Sequence, residues 1–148
     1  MKSILLFTLL FAVPISWSQE DSTRIAEVRA VIDQLFEGME LGDSTMVREV
    51  FHSDAKAYTS FQHDGTFNLH EGLVDRFVEA VGTPHDEVWD EQISNVLIRV
   101  DDGLAQAWMD YSFFLGGEFS HKGVNTMLLA HVDGQWKIVN LADTRRKK

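Results

Sequence analysis

The chain contains no cysteine and only two prolines among its 148 residues. Without a thiol it forms no disulfide, offers no cysteine ligand to zinc and has no attachment point for a lipid. It also lacks a glycine-rich phosphate loop, a nucleophile-elbow serine and the two-histidine helical spacing of zinc proteases. These absences argue against nucleotide transfer, serine hydrolysis and zinc proteolysis, and we expect neither a cofactor nor a metal.

Positive charge is scarce as well. The 13 Lys and Arg residues face 23 Asp and Glu residues, which gives a formal net charge of −10. Nucleic acids and anionic membranes attract basic proteins, so this acidity disfavours both as partners. The basic tail at residues 145–148 is the exception, and we interpret it as a solvated end because no aromatic side chain accompanies its charges.

A continuous apolar run occurs near the amino terminus, at Ile4–Val13. It follows a short basic start, is too short to span a bilayer and leads to the small residues of Ser16–Ser18, which a signal peptidase reads. We therefore predict a signal peptide at residues 1–18, cleavage before Gln19, and a single mature domain at residues 19–148 that is secreted or periplasmic. The alternative is an amino-terminal anchor that stays attached.

Helical periodicity fills the first part of the mature chain. Residues 22–40 present one apolar face, which predicts an amphipathic helix. Gly42 suits the left-handed end of this helix, and Asp43 or Ser44 can cap a short second helix that runs to Phe51. A strand is predicted at residues 55–61, where the helical pattern gives way to alternation.

A third helix is predicted after the turn at residues 63–65. Asn68 and Glu71 have the spacing of a capping pair at its start. Its apolar positions, at fourfold spacing, are Leu69, Leu73, Phe77 and Val81. From Ile93 onward the pattern predicts strands joined by hairpins, so the fold class is α+β, with three helices covering one face of a curved antiparallel sheet. The hairpin turns are expected at residues 101–103, 116–117 and 133–134.

Four short segments near the carboxyl end carry a family signature. They are Ser120-His121, Gly123-Val124-Asn125, Trp136-Lys137-Ile138 and Ala142-Asp143-Thr144-Arg145-Arg146. In these segments the chain resembles the nuclear transport factor 2-like superfamily, and within it the branch labelled putative lumazine-binding. The resemblance implies a cone-shaped domain that encloses a pocket, often in a homodimer.

The resemblance alone assigns no reaction, because the superfamily includes isomerases, dehydratases, cyclases, hydrolases and binding subunits without chemistry. Ketosteroid isomerase is one such relative. Aligned on the break at Gly42, this chain has Leu35 and Thr59 where that enzyme has its tyrosine and its general-base aspartate. Steroid isomerase chemistry is therefore disfavoured.

Strand register predicts which side chains share the pocket. A two-residue turn at residues 116–117 pairs Ser112 with His121. Counting outward places Trp108 opposite Asn125, and strict alternation then defines two faces. The face assigned to the concave side carries Val96, Ile98, Val100, Trp108, Phe114, Phe119, Met127, Leu129, Trp136 and Ile138, with Asp110, Ser112, His121 and Asn125 among them. The opposite face carries Leu97, Met109, Tyr111, Phe113, Val124, Leu128, Val139 and Leu141, with Asn95, Arg99, Lys122 and Lys137. This second face is too apolar to remain in water, and we predict a homodimer that buries it.

In this register Asp110 lies diagonally across from both His121 and Asn125, within hydrogen-bond reach. Desolvation and mutual charge would shift the pKa of a carboxylate and an imidazole placed side by side. We interpret Asp110 and His121 as a candidate catalytic pair, with Asn125 orienting the ligand. The alternative is a structural network that ties two strands together. A bulge at the turn of residues 116–117 would flip one strand and dissolve the cluster.

These residues predict an exported domain that binds a small, largely apolar or aromatic molecule. The expected ligand-binding residues are Trp108, Ser112, Phe114, Asn125, Met127 and Trp136, and Tyr58, whose strand parity stays open. One alternative is a cofactor-free lyase or isomerase that uses His121 and Asp110. A further alternative is a non-catalytic dimerisation or assembly domain whose cone is filled by its own side chains.

Overall fold

A computed structural model describes the backbone of residues 16–147 and the side chains of residues 20–147. The predicted signal peptide lies outside the described residues, apart from the backbone of its last three. The described elements are α1 (Ser16–Leu41), α2 (Ser44–Val50), β1 (Phe51–His63), β2 (Thr66–Gly72), α3 (Val74–Gly82), β3 (Trp89–Asp101), β4 (Leu104–Leu115), β5 (Glu118–Val132) and β6 (Gln135–Arg145). None of the described helices is long and apolar enough to cross a membrane.

The first two helices follow the sequence pattern closely. One face of α1 is buried against the sheet, through Val28, Ile32, Leu35 and Met39. The helix ends at Gly42, whose φ of 68° is the left-handed conformation that glycine adopts without strain. Asp43 then caps α2 by accepting hydrogen bonds from two backbone amides, at 2.9 and 3.0 Å. The break predicted between these helices is therefore confirmed.

The six strands form one curved sheet in the order β2-β1-β6-β5-β4-β3. Neighbouring strands are antiparallel except β1 and β6, which run parallel. The sheet is therefore mixed, although most of it is the predicted meander. The helices pack on its concave face, where the buried core includes Ala105, Ala107, Met109, Met127, Leu129 and Ile138. The predicted α+β fold is confirmed.

The predicted start of the third helix is wrong. Asp64 and Gly65 both have positive φ, 49° and 75°, which is the geometry of a tight hairpin turn. The turn folds β2 back onto β1 and pairs His63 with Thr66. Local strand pairing therefore takes residues 66–72, which the fourfold spacing had assigned to a helix. Asn68 donates to the Thr66 carbonyl at 3.0 Å instead of capping a helix.

A bulge in β5 overturns the predicted register of the β4–β5 hairpin. Phe114 pairs with Phe119 as predicted, but Phe113 then pairs with His121, so that Ser120 is left as an extra residue. Beyond this point each predicted pair is displaced by one residue. Trp108 faces Thr126 rather than Asn125.

A second irregularity lies in β3, between Ser94 and Leu97. Asn95 has a φ of 51° there, and the strand shifts by one residue at this point. Between this point and the hairpin turn, Leu97 pairs with Trp108, because the turn holds only residues 102–103. The expected three-residue turn at 101–103 would have placed Val96 opposite Trp108. The bulge in β5 and the shorter turn before β4 both place β4 one residue out of the predicted register, and this exchanges the faces that its side chains occupy.

The composition of the two faces differs accordingly from the prediction. Residues assigned to the outer face that instead face the helices or the cavity on that side are Met109, Tyr111, Phe113 and Leu141. Residues assigned to the concave face that instead lie on the convex side of the sheet are Trp108, Asp110 and Ser112. A shift of one residue exchanges the two faces because side chains alternate along a strand.

Candidate functional site

The concave side of the sheet and helices α1 and α3 enclose a cavity of about 790 Å³. Its apolar wall includes Leu35, Phe36, Met39, Phe51, Phe77, Trp89, Phe113 and Leu141. Polar side chains on β1, β3, β4, β5 and β6 interrupt this wall. They are Thr59, Glu91, Tyr111, His121, Asn125, Asp143 and Arg145.

Glu91 and Asn125 form one polar pair in the cavity. The Asn125 amide donates to Oε1 of Glu91 at 2.6 Å, and Asn125 is 4% exposed. Burial raises the pKa of the Glu91 carboxyl to about 7, with a further contribution from the negative charge of Asp143. The Asn125 hydrogen bond and the positive charge of Arg145 oppose this rise. Near neutral pH the carboxyl can therefore either donate or accept a hydrogen bond.

Asp143 on β6 forms a second polar group with two hydroxyls. The Thr59 hydroxyl donates to Oδ1 at 2.5 Å, and the Tyr111 hydroxyl donates to Oδ2 at 3.2 Å. The same Tyr111 hydroxyl lies 3.0 Å from the backbone carbonyl of Thr144. Burial raises the pKa of Tyr111, and the negative charges of Asp143 and Glu91 add to the effect, so this phenol stays protonated.

His121 stands beside these groups with its ring against two aromatic side chains. Its ring centroid is 5.7 Å from that of Tyr111 and 5.0 Å from that of Phe113. Burial lowers the pKa of His121, and the positive charges of Arg145 and Lys147 lower it further, against an opposing effect of Asp143. The imidazole is therefore neutral at physiological pH, with Nδ1 3.0 Å from the hydroxyl of Ser120.

His121, Asn125 and Tyr58 are the sequence-predicted site residues that border the cavity. Asp110 does not, because its carboxylate accepts a hydrogen bond from Asn95 at 2.7 Å on the convex side. Asp110 and His121 thus lie on opposite faces of the sheet, and the predicted catalytic pair is wrong. The physical reason is the extra residue at Ser120, which exchanges the faces of one strand relative to the other.

The predicted apolar walls also lie elsewhere. Trp108 is 51% exposed on the convex side, and Ser112 shares that face. Phe114 packs edge-on against Phe119 across the hairpin, with centroids 5.9 Å apart. Met127 is a fully buried core residue. Trp136 is buried under α1, where its indole donates to Glu27 at 3.1 Å.

The cavity residues that sequence reasoning missed include Glu91, Tyr111 and Asp143. Glu91 was missed because the strand pattern predicts strands only from Ile93 onward. Tyr111 was missed because strict alternation assigned it to the opposite face. Asp143 was quoted within a family segment but received no role. Strict alternation from Ile138 places both Leu141 and Asp143 on the opposite face, because the sequence does not show the extra residue at Val139 that turns them to the concave face.

The fully buried polar atoms of the site are satisfied within the protein. Across the side chains that the structure describes, no buried nitrogen or oxygen atom lacks a hydrogen-bond partner. In the same part of the chain no three His, Asp or Glu side chains come together to hold a metal ion. The chemistry that these residues offer is hydrogen bonding and proton transfer, through a carboxyl group, a neutral imidazole and a phenol.

Comparison with known proteins agrees with this fold. The family described as "Putative lumazine-binding" matches residues 23–142. A search of curated proteins gives no match.

Solved structures with the same fold are only distantly similar in sequence. Rv3472 of Mycobacterium tuberculosis, a protein of unknown function, is 16% identical, with a TM-score of 0.73 over 90% of this chain and 78% of that one. An NTF2-like protein of unknown function from Shewanella baltica is 19% identical, with a TM-score of 0.67 over 90% and 98%. A "putative scytalone dehydratase" from Novosphingobium aromaticivorans is 13% identical, with a TM-score of 0.66 over 84% and 85%. These structures show that the chain shares the NTF2-like fold. The family match covers most of the chain, and the protein therefore belongs to the putative lumazine-binding family.

Proposed function

We propose that this protein is an exported domain that binds a small, largely apolar or aromatic molecule in the concave cavity. The observation that carries the proposal is a cavity of about 790 Å³ with aromatic and aliphatic walls and a few convergent polar groups. Most small-molecule sites have this composition, because apolar area supplies affinity and a few polar groups fix orientation. The export component rests on the amino-terminal sequence, and mass analysis of the secreted form is expected to find Gln19 as its first residue.

The polar recognition that we propose differs from the one that the sequence predicted. Glu91 and Asn125 lie on the cavity wall, and Tyr111 and Asp143 lie beside them. A ligand with one polar edge can exchange hydrogen bonds with these groups while its apolar body contacts Phe77 and Phe113.

N-phenylnaphthylamine, a neutral aromatic fluorophore, tests the proposal directly. We expect it to bind the folded protein, and Phe113→Ala to weaken binding about tenfold, which corresponds to ~1.4 kcal/mol of lost apolar contact. Phe119→Ala is the matched control, because Phe119 is exposed and lies outside the cavity wall. Equal binding by both variants, or no binding to the wild-type protein, would contradict the proposal.

The second candidate is a cofactor-free lyase or isomerase, and the Glu91 carboxyl is the observation that favours it. Two carboxyl groups in different surroundings, as Glu91 and Asp143 are, commonly divide the acid and base roles in such enzymes. The fold shared with a structure described as a "putative scytalone dehydratase" is compatible with this candidate. The assembly alternative is disfavoured by the open cavity, since it requires a cone filled by the protein's own side chains.

Deuterium exchange at the carbon next to the carbonyl of β-tetralone separates the catalytic candidate from simple binding. A catalyst is expected to accelerate this exchange in heavy water, and Glu91→Gln or Asp143→Asn should remove the acceleration. Asp110→Asn is the control, because Asp110 lies on the convex face. If β-tetralone binds without faster exchange, the catalytic candidate is contradicted and only the binding function remains.

We also propose that the protein forms a homodimer through the convex face of the sheet. Leu97, Trp108 and Leu128 are exposed there, and Leu97 and Trp108 are direct cross-strand neighbours. Exposed apolar clusters of this kind commonly mark protein–protein contacts.

A further inference from the structure

The search for a more specific ligand class leads to the carboxyl end of β6. Asp143, Arg145 and Lys147 alternate along the chain, and all three border the cavity. Beyond the end of β6, Arg146 and Lys122 exchange two backbone hydrogen bonds of 2.9 Å each. This bridge extends the pairing with β5 one residue beyond Arg145. The backbone of Arg145 is therefore held by strand pairing both before and after it along the chain.

We propose that the cavity binds an amphipathic anion, with its aromatic body against the apolar wall and its anionic group, a carboxylate or sulfonate, at Arg145. The proposal rests on the proposed binding function and names the chemical class of its ligand. Guanidinium groups suit this role because their paired N–H donors match two oxygens of one anion.

Arg145 has no acidic partner within the described part of the chain. Ion pairs with a nitrogen–oxygen distance of at most 4.0 Å occupy Arg24, Arg29 and Arg48. Neither Arg145 nor Lys147 forms one with any acidic side chain of residues 20–147. Arg76, Arg99 and Arg146 likewise form no ion pair within the described residues, but among these four arginines only Arg145 borders the cavity, where its guanidinium group is available to a ligand.

The carboxylates that share the cavity are engaged elsewhere. Both oxygens of Asp143 accept hydroxyl hydrogen bonds, from Thr59 and Tyr111. Glu91 accepts from Asn125, and its raised pKa reduces its negative charge near neutral pH. Glu87 also borders the cavity, but it is exposed and is not within ion-pair distance of Arg145. The positive charge at the rim is therefore not cancelled by a direct contact.

The positive charge of Arg145 and Lys147 at the cavity contrasts with the negative charge of the whole chain. With a formal net charge of −10, most of the surface repels an anion. The field of Arg145 and Lys147 reaches into the cavity, since both residues lower the pKa of His121 there. An anion that enters the cavity beside its apolar wall therefore meets the positive charges of Arg145 and Lys147.

Two fluorophores that share an aromatic skeleton test the inference. Anilinonaphthalene sulfonate carries an anionic group, and N-phenylnaphthylamine lacks it. We expect Arg145→Gln to weaken binding of the sulfonate about five- to tenfold and to change binding of the neutral probe less than about twofold. Arg145→Lys should retain part of the affinity for the sulfonate, because the charge remains and the paired donors are lost.

Arg146→Gln is the matched control, because it removes the same charge at the adjacent residue. Arg146 donates to the hydroxyl of Thr144 at 3.2 Å and does not border the cavity. We expect this variant to bind both probes as the wild-type protein does, with circular dichroism confirming that all variants are folded. If the neutral probe binds and Arg145→Gln weakens the sulfonate no more than Arg146→Gln does, the inference is overturned. If neither probe binds the wild-type protein, the proposed binding function fails and the inference fails with it.

Discussion

Glu91 carries its carboxyl group into the cavity, and burial is the largest cause of its raised pKa. The nearby charge of Asp143 acts in the same direction, while Arg145 and the Asn125 hydrogen bond act against it. His121 shifts in the opposite sense, because burial disfavours the charged form of an imidazole as it does that of a carboxylate. Near neutral pH the His121 imidazole is therefore uncharged, and the Glu91 carboxyl is only partly ionised.

The titration of Glu91 predicts a pH dependence of stability. Its pKa is 4.5 in an unfolded chain and about 7 in the folded protein. Between these values the folded state binds more protons than the unfolded state, so the free energy of unfolding falls as pH rises. Well above the folded pKa the loss is complete, and it amounts to roughly 3 kcal/mol. Glu91→Gln keeps an acceptor for Asn125 and removes this loss.

Urea denaturation between about pH 5 and about pH 8 measures this effect. The stability of Glu91→Gln relative to the wild-type protein should increase steadily over this range. Titration of His121 occurs in both proteins and cancels in the difference. Glu87→Gln removes the same charge at an exposed position and serves as the control. A difference that is independent of pH, or that is the same for both variants, would contradict the prediction.

At the scale of strands, single-residue irregularities decide the composition of the site. The positions of the tight turns, the break at Gly42 and the order of elements in the carboxyl half could be predicted, because glycine, aspartate and apolar periodicity leave a local signature. The turn between β3 and β4 was nevertheless predicted one residue too long. The extra residue at Ser120 and the shift near Asn95 have no such signature, since the alternating pattern on either side of them is intact. Strict alternation therefore brought His121 and Asn125 to the concave side correctly and placed Trp108 and Tyr111 on the wrong faces.

Gly123 shows how closely two strands and a side chain approach in this part of the sheet. A Cβ atom at this position would overlap the backbone carbonyl oxygen of Thr144 and the ring of Tyr111. The absence of a side chain lets the Tyr111 ring lie over β5, and its hydroxyl then reaches Asp143 on β6. The glycine is required by close approach rather than by an unusual backbone conformation.

We expect Gly123→Ala to lower the free energy of unfolding by about 2–4 kcal/mol, as overpacked core substitutions do. The displaced Tyr111 should also weaken binding of N-phenylnaphthylamine. Gly72→Ala is the control, because a Cβ there would make ordinary contacts of 3.9 Å with Ala57. Its effect on stability should stay within about 1 kcal/mol. Equal stabilities for the two variants would show that β5 and β6 have room for a methyl group.

For the whole molecule, the two faces of the sheet have different environments. The concave face packs against helices and encloses the cavity, whereas no element among residues 16–147 covers the apolar side chains that the convex face exposes. Leu97 is 52% exposed and Trp108 is 51% exposed, although both belong to central parts of long strands. Exposure of this apolar surface to water is unfavourable, and a second copy of the chain would bury it.

The homodimer proposal predicts that charge on the convex face separates the subunits. We expect the wild-type protein to sediment as a dimer at tens of micromolar and Trp108→Lys to sediment as a monomer, because a buried unpaired ammonium group is unfavourable. Leu41→Lys is the control, since Leu41 is also exposed but lies at the end of α1 on the helical side. N-phenylnaphthylamine should still bind the Trp108→Lys monomer, because the residues described at the cavity come from one chain. A monomeric wild-type protein, or a Leu41→Lys variant that dissociates as Trp108→Lys does, would contradict a dimer through this face.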